Sequence, residues 1–161
     1  MKEKKQKSVE SNMIGRIGET YVIYKLATLD IHAMKVSEHF DFDLLVSNGL
    51  RLEVKTGRIG LRKRKHKDKI NTYYDWSFSN YKKNDFFEGS KKSHSTCERV
   101  DRGCDFFVCV CLDKNKNIDR CYVIPKKVVG TKMGISIGIS KKKHQYDKYR
   151  DKWDLLGGKK Q

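Results

Sequence analysis

Phe40-Asp41-Phe42-Asp43-Leu44-Leu45-Val46-Ser47-Asn48-Gly49-Leu50-Arg51-Leu52-Glu53-Val54-Lys55-Thr56 is the stretch whose reading decides the fold. Two apolar runs flank Asn48-Gly49, the strongest short hairpin signal, and predict strands over 42–46 and 50–56. Two registers compete. A two-residue loop pairs Ser47 with Leu50, sets Leu44 opposite Glu53 and Asp43 opposite Val54, and mixes apolar with charged residues on both faces. A one-residue shift needs a three-residue loop or a bulge. It sets Leu44 opposite Val54 and Val46 opposite Leu52, one clean apolar face, and gathers Asp43, Glu53 and Lys55 on the other. A slip of one residue flips every side chain, so burial selects the second register, with Asp43 opposite Lys55.

Two carboxylates and a lysine on one face suit a hard divalent cation such as Mg²⁺, which takes carboxylate, water and phosphate oxygens. The Val54 carbonyl, between Glu53 and Lys55, offers a further oxygen, and Lys55 supplies positive charge for an attacked phosphate. The competing reading of the same residues is a cross-strand salt bridge, worth under about 1 kcal/mol when exposed.

Upstream, Ser11 or Asn12 can cap a helix running to about Leu29, with Ile14, Ile17, Tyr21, Tyr24 and Thr28 along one face. Gly15 and Gly18 inside it cost about 1 kcal/mol each against Ala, and suit close approach to a sheet or a substrate backbone. Residues 1–10 read as a disordered basic tail and 11–161 as one domain. Val36 fits a short edge strand. Downstream, residues 57–72 hold seven Lys/Arg, one acid and two glycines, and read as a basic loop. Residues 73–80 alternate, with Tyr74, Trp76 and Phe78 on one face, as a third strand of the meander. That face suits core burial better than base stacking. Residues 81–103 are polar and irregular, the predicted mobile segment. Asp105 opens an apolar run suited to a central strand buried on both faces. A strand over 119–124 stops at Pro125, a helical turn follows over 126–130, an edge strand over 134–139, and a C-terminal helix over 146–156. This order predicts an α/β fold: one mixed central sheet flanked by helices, in a single domain.

The 161 residues carry 36 Lys+Arg against 20 Asp+Glu, a net charge of +16, which points to polyanionic partners. Residues 12–56 hold five Lys/Arg and six Asp/Glu, so the remainder carries +17. Carboxylates beside phosphate repel it unless a cation lies between them. No apolar run exceeds seven residues, against about 20 for a membrane span, and no apolar segment of a signal peptide follows the N-terminus. Five cysteines, an odd count, read as free thiols in a reducing, cytoplasmic compartment. His94, Cys97 and Cys104 lack the paired spacing of a zinc site, and no Cys–His nucleophile has local support.

Asp43 followed by Glu53-Val54-Lys55 across a hairpin resembles the motif of the PD-(D/E)XK nuclease superfamily. Ile14-Gly15-Arg16-Ile17-Gly18-Glu19 resembles the N-terminal helix of its Holliday-junction-resolvase-like and homing-endonuclease-like branches. The run from Asp105, the strand ending at Pro125 and the segment 146–156 resemble their later strands and C-terminal helix, so that the likeness spans about 12–156. No proline precedes the aspartate, and Asp41 competes with Asp43 for its role. The resemblance implies a restriction-endonuclease-like core and a Mg²⁺-dependent DNA endonuclease, with Mn²⁺ a possible substitute. Asp43, Glu53 and the Val54 carbonyl would hold the metal, Glu19 would complete or orient the site, and Lys55 would position the nucleophile. Arg16, Arg58, Arg62, Lys63, Arg64, Lys65 and Lys67 are the expected contacts to duplex or branched DNA, and a homodimer is the expected assembly. The alternative is a non-catalytic nucleic-acid-binding domain on a decayed nuclease fold.

Overall fold

A computed structural model describes residues 2–37, 39–64, 67–78, 103–130, 132, 134–139 and 144–157. The expected mobile segment, save Gly103, lies outside the described residues, as do His94, Cys97 and Lys65.

The first element is a 26-residue helix, α1 (Lys2–Ala27). It begins nine residues before the expected cap, in place of the expected tail. Residues 2–10 are mostly Lys, Glu and Gln, which are good helix formers, and no Gly or Pro interrupts the chain before Gly15. Its buried seam is Ile14, Gly18, Val22 and Leu26, not the expected seam through Tyr24, which is 65% exposed. Gly18 sets that rotation: a Cβ there would collide with the Thr56 hydroxyl, so only glycine lets the helix lie this close to the sheet. The helix stops in a Schellman turn, with Ile31 N–H donating to Leu26 O (3.0 Å), Asp30 N–H to Ala27 O (3.1 Å), and Asp30 at φ +59°.

Five strands form a mixed sheet. They are β1 (Ala33–Lys35), β2 (Leu44–Val46), β3 (Arg51–Arg58), β6 (Phe106–Leu112) and β7 (Ile118–Pro125), in the order β1-β2-β3-β6-β7. Only the β3–β6 pair is parallel, with Leu52 beside Phe106 and Lys55 beside Cys109. β6 is the expected central strand: six of its seven residues are buried. One face of the sheet packs on α1 through Leu44, Val46, Leu52, Val54, Val108 and Val110. The chain is thus mixed α/β in a single domain.

The hairpin loop is Ser47-Asn48-Gly49, with Gly49 at φ +87° and Val46 N–H donating to Leu50 O at 2.9 Å. Leu44 stands opposite Leu52, not Val54, so the register differs by two residues from the expected one. A shift of two preserves the side of every residue, and the apolar face survives it. Closing the loop at Val46–Leu50 is what moves the pairing, because the left-handed glycine then falls at the loop's last position.

The basic segment is not a loop. It forms β4 (Gly60–Arg64) and the start of β5 (Lys67–Ser77), which with β8 (Gly134–Gly138) make a second, antiparallel sheet in the order β4-β5-β8. Consequently Tyr74 and Trp76 do not extend the meander. β5 crosses the other face of the first sheet, where Tyr74, Trp76 and Phe78 pack with Phe107, Cys109 and Tyr122. Gly57 permits that crossing, since a Cβ there would lie 2.8 Å from Trp76 Nε1. The face expected to serve the core does so.

A helical turn, α2 (Lys126–Val129), follows Pro125. The expected C-terminal helix is instead two 3₁₀ turns, 147–149 and 153–156. Arg150 pairs with Tyr122, and Asp151, at φ +51°, donates its N–H to Cys121 O at 2.9 Å. This segment covers the open edge of β7, and that pairing breaks the helix. Trp153 and Leu156 remain buried, Trp153 edge-on to Tyr21 with ring centres 6.3 Å apart. Cys109, Cys111 and Cys121 are free and buried, and Cys104 is buried. Among the described residues no helix is long and apolar enough to cross a membrane.

Candidate functional site

The site forms where β2 stops. Asp43 N–H donates to Leu52 O at 2.9 Å although Leu44 is the Cα partner of Leu52, a bulge-like irregularity that ends the ladder. The next β3 amide on that side is Val54 N–H. No β2 carbonyl receives it; the Asp43 carboxylate does, through Oδ2 at 2.7 Å. A strand residue's N–H and C=O point to the same side, so the Val54 carbonyl looks into the same gap beyond Leu44. Asp41 is exposed and lies near Gly103, so Asp43 is the aspartate at the hairpin.

By strand alternation Glu53 and Lys55 lie on the face opposite α1. Glu53 is 6% exposed, the single buried charged residue among the described ones, and its Oε1 meets Lys55 Nζ at 2.6 Å. Glu19 reaches the gap from the helix side, held by Lys35 at 2.5 Å. Lys35 was not singled out from sequence; its place in an edge strand beside the acidic hairpin was the available signal. The structure brings Glu19, Glu53 and Lys55 close enough to Asp43 to act on it electrostatically. The Asp43 carboxyl is pushed up to about 6, first by burial and then by the Glu53 charge, against the opposing pull of the Val54 amide and Lys55.

Arg51 makes a two-point contact with Asp105, Nη2 to Oδ1 at 2.9 Å and Nε to Oδ2 at 3.1 Å, while its backbone N–H meets Oδ2 at 2.9 Å. The Arg51 guanidinium holds the Asp105 carboxyl below its usual value. This clamp fixes the start of β3 to the start of β6 and so sets where Glu53 sits. Sequence reasoning assigned Arg51 and Asp105 no such part.

The expected nucleic-acid contacts are dispersed. Arg58 is paired with Glu10 at 2.7 Å. Arg16 is exposed and lines a surface groove with Met13, Tyr24 and Ile118, between α1 and the β6–β7 turn. Arg62, Lys63, Arg64 and Lys67 lie along the β4–β5 hairpin.

Carboxylate and carbonyl oxygens around one gap are the donor set of a hard divalent cation, and the raised Asp43 pKa marks negative charge that a cation would relieve. As placed, each acid already has an amide or ammonium neighbour. No group of three His, Cys, Asp or Glu among the described residues is close enough to hold a metal without side-chain rearrangement. No protein-family model matches the chain, and no curated protein is significantly similar to it.

Proposed function

We propose that the chain is a Mg²⁺-dependent DNA endonuclease with a restriction-endonuclease-like core. The observation that carries this reading is Glu53, a buried carboxylate between Asp43 and Lys55 at the interrupted end of β2. A buried ion pair is a weak source of stability, whereas perturbed carboxylates in a gap are the means of acid–base and metal chemistry. The arrangement of α1, an antiparallel β1-β2-β3 meander and a β6 strand parallel to β3 supports the superfamily resemblance.

Asp43, Glu53 and the Val54 carbonyl would hold the cation, with Glu19 completing or orienting the set. The cation, Mn²⁺ serving in place of Mg²⁺, would supply Lewis-acid polarisation of the scissile phosphodiester. Lys55 turns from Glu53 towards the phosphate, orients the attacking water and offsets the negative charge that grows on the phosphoryl oxygens. Lys35 holds Glu19 in place until substrate enters. The net charge of +16 draws the polyanion in, and a twofold homodimer would present one site to each strand.

Incubation with supercoiled plasmid, a synthetic four-way junction and RNA, with and without Mg²⁺, tests the reading. Metal-dependent nicking of DNA is expected. Lys55→Ala should cut the rate by about 10²–10³ while retaining metal binding, and Glu53→Gln should lose both. Absence of cleavage in both Mg²⁺ and Mn²⁺, or wild-type rates in both variants, refutes it. A second reading, DNA binding without cleavage, is favoured by the ammonium partners that Glu19 and Glu53 already have. It requires DNA affinity with no metal-dependent nicking.

A further inference from the structure

β5 is eleven residues long, but β8 pairs only with Tyr73–Ser77. Before Thr72 the sole partner of β5 among the described residues is β4, with Arg62 opposite Asn71, Lys63 opposite Ile70 and Arg64 opposite Lys67. The result is a two-stranded antiparallel ribbon that runs on past the three-stranded sheet by about 17–20 Å, at the usual rise per strand residue. Leu61, opposite Thr72 and so on the same side as buried Tyr74, is 63% exposed.

Residues 61–71 contain six Lys/Arg and one Asp, a net +5 within eleven residues. A lone two-stranded ribbon is marginal in water, and like charges along it oppose its formation. Such a sequence gains from being a ribbon only against a polyanion. The B-DNA major groove, about 12 Å wide, admits a two-stranded ribbon without distortion; the minor groove, about 6 Å wide, takes one only when the duplex is bent and opened. The major groove of A-form RNA is too narrow to be read.

We infer that the β4–β5 ribbon enters the major groove of duplex DNA. This rests on the proposed choice of DNA as substrate, but not on cleavage. Arg62 stands opposite Asn71 in the register of the ribbon, and arginine and asparagine are the two residue types that read guanine and adenine edges bidentately. Lys63, Arg64, Lys67 and Lys69 supply the surrounding cations for phosphates.

The test is equilibrium binding by fluorescence anisotropy of the metal-free protein. Its probes are a labelled 30-bp DNA duplex, the same duplex with glucosylated 5-hydroxymethylcytosines filling the major groove, and an RNA duplex of the same sequence. The ribbon inference expects at least tenfold weaker binding to both modified DNA and RNA, and no effect of the minor-groove ligand netropsin. The triple variant Arg62→Gln, Lys63→Gln, Arg64→Gln should bind all three duplexes alike. Its salt sensitivity between 50 and 200 mM should be smaller by about 12-fold, which is the two phosphate contacts of Lys63 and Arg64 at a slope of about −0.9 each. Equal wild-type affinity for the three duplexes, or displacement by netropsin, overturns the inference, and neither result depends on how a variant folds. Because no metal is present, cleavage is scored separately. Plasmid nicking with indifferent duplex binding sinks the ribbon and leaves the nuclease; groove-selective binding without nicking does the reverse.

Discussion

Asp43→Asn should stabilise the metal-free protein at neutral and alkaline pH, although it deletes a residue of the candidate site. The folded-state pKa of about 6 lies above the value of about 3.9 expected for an unfolded aspartate. Between about pH 4 and 6 the native protein therefore keeps a proton that the unfolded chain has lost. Stability falls as pH rises through that window, and the deficit is complete above it. Two pKa units correspond to about 2.7 kcal/mol. Asp43 is half-buried, and solvent screening reduces this to about 1–2 kcal/mol. The asparagine carbonyl can still accept the Val54 N–H, so the hydrogen bond that ends the ladder is kept. For a chain of this size, a gain of 1–2 kcal/mol raises Tm by about 2–8 °C. Thermal melts followed by circular dichroism in EDTA at pH 4 and pH 8 measure it. The variant should melt higher at pH 8, and the gap should close at pH 4, where the wild-type carboxyl is also neutral. A variant that melts lower at pH 8, or by the same offset at both pH values, refutes the reasoning.

Cation binding and protonation of Asp43 should compete. Mg²⁺ affinity measured by calorimetry should weaken as pH falls through about 6, and binding at pH 6 should release about half a proton per site; a flat profile between pH 5 and 8 contradicts this. Gly18→Ala should destabilise by about 1–3 kcal/mol in urea, because its Cβ meets the Thr56 hydroxyl, and Thr56→Ala in the same chain should recover part of the loss. Full stability of the single variant would mean that α1 does not lie this close to β3. Leu44→Asp should cost more than about 4 kcal/mol and abolish soluble folded protein, since it buries an unpaired charge in the α1-facing core. Normal melting of that variant would place Leu44 on the wrong face.

Strand identity was legible wherever burial imposed a period. Phe106–Leu112 is apolar throughout because it lies between β3 and β7 with both faces covered, and Pro125 ends β7 because it cannot extend a ladder. The β4–β5 ribbon was not legible, because residues 61–71 are dense in Lys/Arg and show no apolar alternation. The segment 146–156 misled for the opposite reason. Tyr146, Trp153 and Leu156 are buried at helical spacing, but a backbone bridge to Tyr122 holds Arg150 extended between them. The start of α1 was missed because its first turns have helix-forming residues without an apolar period. Of the site, the grouping of Asp43, Glu53 and Lys55 was readable from face parity alone. The partners that tune it were not. Lys35 on Glu19 and Arg51 on Asp105 depend on how β1 and β6 flank the hairpin, which no local pattern encodes.

The two-residue difference in register changes the chemistry even though it leaves the faces alone. Pairing Asp43 with Lys55 would set a carboxylate directly against an ammonium and favour its charged form. With Leu44 opposite Leu52, the same parity sets Asp43 towards Glu53, while Lys55 lies two residues further along and is engaged with Glu53. Burial raises the Asp43 pKa first, and the carboxylate also feels the like charge of Glu53 more strongly than the opposite charge of Lys55, which raises it further. Within the cluster, a proton offsets that charge at low pH; at neutral pH an added cation would have to. An ordinary salt bridge would have been better served by the other register. The closed three-residue loop with its left-handed Gly49 thus does more than join two strands, since it selects the pairing in which the acids confront each other. Lengthening that loop by one residue should turn Asp43 away from Glu53 and out of reach of Val54 N–H; loss of that amide alone would raise the Asp43 pKa further, so a fall towards the unfolded value would be the signature that loop length, by setting Asp43 against Glu53 in the buried gap, sets the acidity of the site.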